Sequence, residues 1–219
     1  MSAPRVAIVD YGMGNLFSVA QACREVGLDA FITPDAEAVV SADAAILPGV
    51  GAFGNAMTVL HSLGMVDALR EVAAGGKPVL GICLGLQLLM ERSYEFGEHE
   101  GLGLIPGDVV RFDEPREGER VLKVPQVGWN RVIESRPGAW EGTPFEAVDS
   151  GVYQYFVHSY YVRPSSGECA LAHTTYGDVT FCSAARVDNV VACQFHPERS
   201  GAQGMRIYER YAAMLRGEA

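Results

Sequence analysis

The sequence predicts an α/β protein: a mainly parallel, doubly wound sheet that is flanked by helices and extended by antiparallel strands. Three observations support this prediction. Short apolar runs alternate with helix-like stretches over residues 1–92, Gly-bearing turns follow three of these runs, and short β-rich runs follow one another over residues 101–195. Strands that alternate with helices are typical of a parallel sheet, whose strand carboxyl ends lie at one edge.

In the first half of the chain, apolar runs predict strands and the stretches between them predict helices. The predicted strands are 6–10, 30–33, 44–47 and 79–82. The predicted helices are 15–26, 52–74 with a break near Gly64, and 86–93. Ligands bind beyond the strand carboxyl ends in open sheets of this kind. The candidate site turns are therefore 10–15, 48–54 and 81–85.

The second half of the chain predicts the antiparallel extension, because turn signals such as 163–167 separate its β-rich runs. The predicted strands are 104–112, 121–124, 130–133, 151–162, 169–175, 180–187 and 190–195. A closing helix over 202–216 follows, with Ser200 as its expected N-cap. Since no repeat or linker divides the chain, we expect a single domain over residues 1–219.

Composition excludes several function classes. A net charge of -10 argues against nucleic-acid binding, which needs clustered Lys and Arg. No apolar run is long enough to span a bilayer, and the first residues lack a secretory signal pattern, so we expect a cytoplasmic protein. The cysteines lack zinc-ligand spacing, and we expect no metal and no cofactor. Four of them are interpreted as small buried residues: Cys23, Cys169, Cys182 and Cys193.

Cys83 ends an apolar strand run and stands between Gly81 and Gly85, with helix-like sequence after it. This strand–turn–helix pattern is typical of a nucleophile elbow, which presents one side chain at the carboxyl edge of the sheet. The reactive form of cysteine is the thiolate, which a position before a helix favours. We therefore predict that Cys83 is a catalytic nucleophile; a buried structural cysteine is the alternative.

A base for this thiol is expected at the end of the last predicted strand, in the segment QFHPE at 194–198. Pro197 favours an extended backbone, in which residues two apart point the same way. His196 as the base and Glu198 as its orienting carboxylate then complete a predicted catalytic triad with Cys83. The alternative is a surface histidine beside a solvated glutamate.

An acyl intermediate needs an oxyanion hole, and two backbone N–H groups are its predicted donors. One belongs to Leu84, the residue after the nucleophile. The other belongs to Val50 in the loop 48–51, for which a plain turn is the alternative. Gln87 lies about one helical turn after Cys83, so it can face the same pocket and hold a polar substrate. An exposed helix glutamine is the alternative.

Together these motifs resemble those of the class I, triad-type glutamine amidotransferases. The segments that carry this resemblance are GICLGLQ at 81–87 and QFHPE at 194–198. Further segments resemble the glutaminase subunits of imidazole glycerol phosphate synthases, a family within that class. They are DYGMGNL at 10–16, PGVGAF at 48–53, PQVGWN at 125–130 and YFVHSYY at 155–161. Two departures are small: Leu86 stands where the family often has Met, and Arg199 where it often has Lys.

The resemblance implies a reaction and a set of substrate contacts. Cys83 would attack the side-chain amide of glutamine, release ammonia and form a glutamyl thioester. Water activated through His196 would then release glutamate. The family pattern places four residues around the bound glutamine: Gly49, Gln87, Ser159 and Tyr160.

The resemblance also implies a partner, a (β/α)₈-barrel cyclase subunit that forms a heterodimer with this chain. The partner would use the ammonia to make imidazole glycerol phosphate. Asn15, Trp129 and Asn130 match family positions near the interface; core packing for the tryptophan and local turn hydrogen bonds for the asparagines are the alternatives. Two other functions stay open: the glutaminase of another class I amidotransferase, and a silent or redox-sensing elbow-cysteine module.

Val50 suggests regulation, because related amidotransferases often have glycine at this position. Valine resists positive φ and is stiff at χ1, so a peptide flip in the loop would be costly. We hypothesise that the second oxyanion donor is misaligned at rest and turns inward when the partner binds its ligand. One missing oxyanion donor costs ~2.7–4 kcal/mol in the barrier.

Overall fold

A computed structural model describes residues 3–218 of the chain. Within that range it has fifteen strands and six α-helices. The strands are β1 (Arg5–Val9), β2 (Asp29–Thr33), β3 (Ala44–Gly49), β4 (Val79–Cys83), β5 (Met90–Ser93), β6 (His99–Glu100), β7 (Ile105–Arg111), β8 (Arg116–Glu117), β9 (Arg120–Val121), β10 (Gln126–Glu134), β11 (Val152–His158), β12 (Tyr160–Pro164), β13 (Ala170–Tyr176), β14 (Val179–Val187) and β15 (Val190–Cys193). The helices are α1 (Leu16–Glu25), α2 (Ala36–Ser41), α3 (Phe53–Ser62), α4 (Met65–Ala74), α5 (Leu84–Leu88) and α6 (Gly201–Leu215).

Thirteen of these strands form one sheet, in the order β2-β1-β3-β4-β15-β14-β12-β7-β5-β6, with β13, β10 and β11 joined to it through β14. The first five strands of that order are parallel, and β14 is antiparallel to β15. The remaining pair, β8 and β9, forms a separate two-stranded ribbon. The predicted fold class, a parallel sheet extended by antiparallel strands, is confirmed.

Two apolar clusters cover the two faces of the sheet. In β1, Val6 and Ile8 belong to one cluster, whereas Ala7 and Val9 belong to the other. Successive side chains of a strand point to opposite faces, so a strand that is buried on both sides is apolar throughout. This double burial explains why the parallel strands are visible as apolar runs in the sequence.

The strand register brings three chain segments together at the carboxyl edge. Gly49 at the end of β3 pairs with Cys83 at the end of β4. On the other side of β4, Cys193 at the end of β15 pairs with Ile82. The loop after β3, the turn after β4 and the segment after β15 therefore lie side by side.

The predicted helix over 86–93 is wrong in its second half. Helix α5 ends at Leu88, and β5 begins at Met90 and pairs with β7. Backbone N–H groups of Leu102 and Leu104 donate to the carbonyls of Leu88 and Leu89, so the returning chain replaces the helical hydrogen bonds. The tertiary pairing outweighs the helical preference of the local sequence.

The structure differs from the sequence predictions at three further places. The strand expected over 151–162 is interrupted at Ser159, because β11 pairs with β10 whereas β12 pairs with β7 and β14. The short helix α2, which begins after an Asp35 cap, is not predicted. Ser200 precedes α6 but does not cap it, since its hydroxyl donates to the carbonyl of His196.

Other predictions differ less from the structure. The break near Gly64 is confirmed, because it separates α3 from α4. The strand predicted over 121–124 is only the two-residue β9, whereas the one predicted over 130–133 extends to the whole of β10. Cys169 is half-buried rather than buried, unlike the other three cysteines interpreted as core residues. No helix within residues 3–218 has the length and apolar character needed to cross a bilayer.

Candidate active site

The turn at Cys83 has the geometry of a nucleophile elbow. Strand β4 passes into α5 at this residue, whose backbone angles are φ 55° and ψ -107°. A non-glycine residue whose backbone is held in this φ/ψ region is strained by about 1–3 kcal/mol. A Cβ at Gly81 would lie 2.6 Å from Cδ1 of Leu89, and one at Gly85 would collide with the carbonyl oxygen of Leu47. Close packing therefore requires both elbow glycines.

His196 and Glu198 form a buried pair beside this elbow. Nδ1 of His196 lies 2.8 Å from Oε1 of Glu198, and the two side chains are 3% and 1% exposed. The backbone N–H of His196 donates to the carbonyl of Tyr155 at 2.9 Å, which fixes the base against β11. The predicted pairing is found, although Pro197–Arg199 forms a 3-10 turn rather than an extended segment. A solvated surface pair, the alternative, is wrong.

The surroundings of His196 raise the pKa of its imidazole above the ordinary value. Burial acts to lower this pKa, but the charge and hydrogen bonding of Cys83 and Glu198 outweigh it. Since Glu198 engages Nδ1, Nε2 is the ring nitrogen that is left for Cys83. The arrangement therefore favours the imidazolium form of His196.

A cavity of about 250 Å³ opens next to the Cys83 side chain. Its walls come from the loop after β3, the elbow, and the junction of β11 with β12. Predicted site residues that line it are Val50, Cys83, Leu84, Gln87, Ser159 and Tyr160. Gly49 lies opposite Cys83 in the ladder, and a Cβ there would meet the hydroxyl of Tyr11. The structure thus brings the residues predicted for the nucleophile, the oxyanion donors and glutamine binding to one place.

Gln87 faces this cavity and is buried, so the alternative of an exposed helix glutamine is wrong. Its Nε2 donates to the carbonyl of Tyr160 at 2.9 Å and to Oε1 of Gln194 at 3.0 Å. Its own carbonyl oxygen is therefore the atom that is left for a ligand. Gln194 in turn donates through Nε2 to Sγ of Cys83 at 3.7 Å.

Several residues of the site are not predicted from the sequence. Glu95 lines the cavity and is buried, and only its position in the fold reveals this. Gln194 follows β15, and only its contacts with Gln87 and Cys83, both distant in the sequence, reveal its place in the site. Tyr11 donates its hydroxyl to the carbonyl of Pro48 at 2.8 Å and so braces the loop after β3. Its pKa is raised by burial and by Cys83, which keeps the hydroxyl protonated.

His158 is a further buried residue of the cavity wall. Its Nδ1 lies 2.8 Å from the carbonyl of Tyr160, so this nitrogen carries the proton. Burial lowers the pKa of the imidazole to about 4, although the hydrogen bond to Tyr160 acts to raise it; the nearby His196 lowers it further. His158 is therefore neutral at physiological pH.

Val50 is 43% exposed on the loop after β3. In residues 3–218, positive φ outside glycine occurs at Cys83, Phe96, Glu114 and Asp188, so Val50 keeps an ordinary backbone conformation. Leu84 is the first residue of α5. The assignment of the two N–H groups to an oxyanion hole stays a prediction.

The residues predicted for a partner interface lie at the surface or near it. Trp129 is 55% exposed and meets the ring of Tyr155 edge-on, so core packing is wrong for it. Asn130 lies in β10, where its amide N–H donates to the carbonyl of Thr175, 45 residues away, and its side-chain oxygen accepts from the backbone N–H of Arg131. Asn15 precedes α1 without a side-chain cap bond. Their role in an interface stays a prediction.

Metal ligation is not suggested by the described part of the chain. It contains no group of three or more His, Cys, Asp or Glu residues that could hold a metal ion.

An α/β sheet with cysteine at the elbow and a buried His–Glu pair beside it defines a triad-type thiol enzyme class. The glutamine amidotransferase class-I family model matches residues 7–213, and the chain belongs to this family. It is 48% identical over 211 residues to the imidazole glycerol phosphate synthase subunit HisH of Syntrophotalea carbinolica, covering 95% of this chain and 100% of that relative. The HisH subunit of Geobacter sulfurreducens is 47% identical over 212 residues, covering 96% and 99%.

A solved structure supports the fold independently. The structure of PurLQS from Thermotoga maritima aligns with a TM-score of 0.73 at 18% identity, covering 97% of this chain and 99% of that one. At this level of identity the likeness shows the α/β fold alone.

Proposed function

We propose that this chain is the glutaminase subunit of an imidazole glycerol phosphate synthase and acts in histidine biosynthesis. The observation that carries the chemistry is Cys83 on its elbow, next to the buried pair of His196 and Glu198. The particular enzyme is supported by the HisH subunits, which match almost the whole chain.

In the proposed reaction, the Cys83 thiolate attacks the carboxamide carbon of glutamine. The carbon–nitrogen bond then breaks, and the His196 imidazolium gives its proton to the departing amide nitrogen, which leaves as ammonia. The product is a glutamyl thioester. Water gives a proton to His196 and attacks the thioester, which releases glutamate and restores the thiolate. Glu198 holds the imidazole in place and stabilises its charged form.

Binding of glutamine is proposed to use the groups around the cavity. The N–H groups of Leu84 and Val50 stabilise the oxyanion. The further contacts proposed on the family pattern are Gly49, Gln87, Ser159 and Tyr160. Glu95 adds a negative charge in the cavity wall, which suits the α-ammonium of an amino acid.

The proposed partner is the (β/α)₈-barrel cyclase subunit, which forms a heterodimer with this chain and receives the ammonia. Asn15, Trp129 and Asn130 are the proposed contacts. We place the protein in the cytoplasm, since all five of its cysteines are free, as in a reducing compartment. No cofactor is part of the proposal.

Regulation through Val50 belongs to the same proposal. At rest, one oxyanion donor is turned away and the thiolate stays nearly idle; partner and nucleotide together turn the donor inward. The ordinary φ of Val50 and its exposure beside the cavity are consistent with a loop that must change conformation.

The decisive experiment is co-purification of the chain with a candidate cyclase subunit, followed by an assay for glutamine-dependent imidazole glycerol phosphate formation. A stable complex with this activity is expected. If Cys83 is labelled by a glutamine-like electrophile but the complex neither forms nor makes the product, the chain serves another class I amidotransferase. If no labelling occurs, it is a non-catalytic module.

A further inference from the structure

We infer that Gln194 is a positioning residue for the nucleophile: its side-chain amide donates an N–H to the sulfur of Cys83 and stabilises the thiolate. The inference rests on the proposed glutaminase function, in which this thiolate attacks the substrate. It adds a hydrogen-bond donor for the sulfur besides His196.

The direction of the hydrogen bonds is fixed by the carbonyl of Tyr160. A backbone carbonyl can only accept, so the atom of Gln87 that faces it at 2.9 Å must be the amide nitrogen. The same nitrogen faces Gln194 at 3.0 Å, and the atom it meets must therefore be the amide oxygen, Oε1. Nε2 of Gln194 is then the atom that points at Cys83. If either amide were flipped, like atoms would face each other and the hydrogen bonds that join Tyr160, Gln87, Gln194 and Cys83 would be lost.

Because Gln194 is buried, its side-chain N–H depends on the Cys83 sulfur as an acceptor. Gln194 is 0% exposed, so bulk water does not reach its amide. An N–H buried without a partner is costly, and Sγ of Cys83 lies at 3.7 Å. A thiolate accepts a hydrogen bond better than a thiol does, so this contact favours the ionised sulfur. The carbonyl of Val157, 3.9 Å from the sulfur, has the opposite preference because it accepts from the thiol.

The contribution of Gln194 can be separated from that of the ionisable neighbours. Those neighbours, on the elements packed around the sulfur and its cavity, are Tyr11, Glu95, His158, Tyr160, Cys193, His196 and Glu198. A carboxamide does not titrate. Replacing it therefore shifts the ionisation midpoint of Cys83 without adding or removing a titrating group.

The test is the pH dependence of Cys83 alkylation by iodoacetamide, measured on the full chain by peptide mass spectrometry. In Gln194→Met, the midpoint should rise by about one pH unit, with about tenfold slower alkylation below the midpoint. The matched control is Gln154→Met, because Gln154 is equally buried and its amide has no hydrogen bond within residues 3–218. This control should keep the wild-type midpoint. Equal midpoints for Gln194→Met and the wild type would overturn the inference.

A measurement on the wild type decides the matter even if Gln194→Met does not fold. With ¹⁵N-labelled glutamine side chains, one amide signal should shift with pH at the alkylation midpoint of Cys83. The shift should disappear in Cys83→Ser. If no glutamine amide follows this midpoint, Gln194 does not contact the ionising sulfur and the inference fails.

Failure of the inference and failure of the proposed function give different results. The alkylation profile needs neither glutamine nor partner, so it reports on Gln194 even if the complex makes no product. If the complex is active and Gln194→Met also keeps the wild-type profile, only the inference fails. If the inference and the proposed function both hold, the Gln194→Met complex should show a lower kcat near neutral pH and recover part of it at higher pH.

Discussion

The backbone N–H of Phe53 donates a hydrogen bond to Oε2 of Glu95 at 2.6 Å, although 42 residues separate the two in sequence. Phe53 is the first residue of α3, and Ala52 before it has no side chain that can cap the helix. Glu95 therefore caps α3 from another part of the chain. The same carboxylate lines the cavity beside Cys83, so one side chain serves both the helix and the proposed glutamine site.

Replacement of Glu95 by Gln should separate these two roles. The amide oxygen can still accept from Phe53, so the melting temperature should stay within about 2 °C of the wild type. The charge facing the substrate ammonium is lost, so KM for glutamine should rise about tenfold or more, as expected for a hydrogen bond to a charged group. Steady-state glutaminase assays of the complex give the KM. Glu95→Ala is the matched variant: it should also lose about 1 kcal/mol of folding stability with the cap. An unchanged KM in Glu95→Gln would remove Glu95 from the binding site.

Cys83→Ala should abolish glutamine-dependent synthesis by the complex while free ammonia still supports the cyclase. In the proposed mechanism the sulfur is the nucleophile, whereas the proposed partner needs only ammonia. The measurement is product formation with each nitrogen source. Cys169→Ala is the control, because that half-buried cysteine lies in a 3-10 turn before β13, and it should keep both activities. Loss of both activities in Cys83→Ala would assign the cysteine a structural role.

Val50→Gly should raise the glutaminase turnover of the complex without nucleotide by up to about 10²-fold. Glycine tolerates positive φ, so the loop can turn its N–H inward, and one oxyanion donor contributes about this factor to kcat. Val50→Ala is the matched control: it shortens the side chain but keeps the penalty for positive φ. Turnover is measured with and without the nucleotide ligand. Equal rates in the two conditions for the wild type would contradict control by this loop.

His158 should make the fold sensitive to mild acid. Its pKa is about 4 in the folded chain against 6.5 for an ordinary histidine, so between these values the unfolded chain binds a proton that the folded chain does not. The free energy of unfolding should therefore fall by up to about 3 kcal/mol as pH drops from 6.5 to 4. In His158→Asn, which keeps an N–H for Tyr160, denaturant titrations should show a smaller pH slope. The exposed His61→Asn should keep the wild-type slope; identical slopes in all three would exclude this effect.

Trp129→Ala should weaken binding of the cyclase subunit about tenfold or more, because an exposed tryptophan at an interface often contributes above 1 kcal/mol. Alkylation of Cys83 in the free chain should not change, because Trp129 does not line the cavity. Ile32→Ala, an exposed apolar position on the edge strand β2, serves as the control. Calorimetric titration with the partner gives both affinities. Unaltered binding in Trp129→Ala would place the interface elsewhere.

The parts of this fold that can be predicted from the sequence have local signals. Strands β1, β3 and β4 are visible because they are buried on both faces. Cys83 and His196 are predictable because the first ends a strand and the second closely follows one, each inside a motif of a few residues. Their neighbours in the sequence constrain the backbone, and the parallel register then brings the strand ends together.

The parts that cannot be predicted depend on contacts between distant segments. The second half of the helix expected over 86–93 forms β5 instead, because Met90 pairs with Ile105 of β7. Glu95 acquires its role from Phe53, 42 residues away, and Gln194 from Cys83, 111 residues away. No local pattern encodes such pairs.

The place of β15 has a consequence for synthesis of the protein. Among the strands of residues 3–218 this one is the last, yet it lies inside the sheet between β4 and β14. Until residues 190–193 leave the ribosome, β4 has an open apolar edge, and an exposed edge of this kind can pair with other chains. His196 and Glu198 emerge directly after the strand that fills this gap. The proposed catalytic triad and the closed sheet are therefore completed together, and a half-made chain lacks the proposed base and its carboxylate.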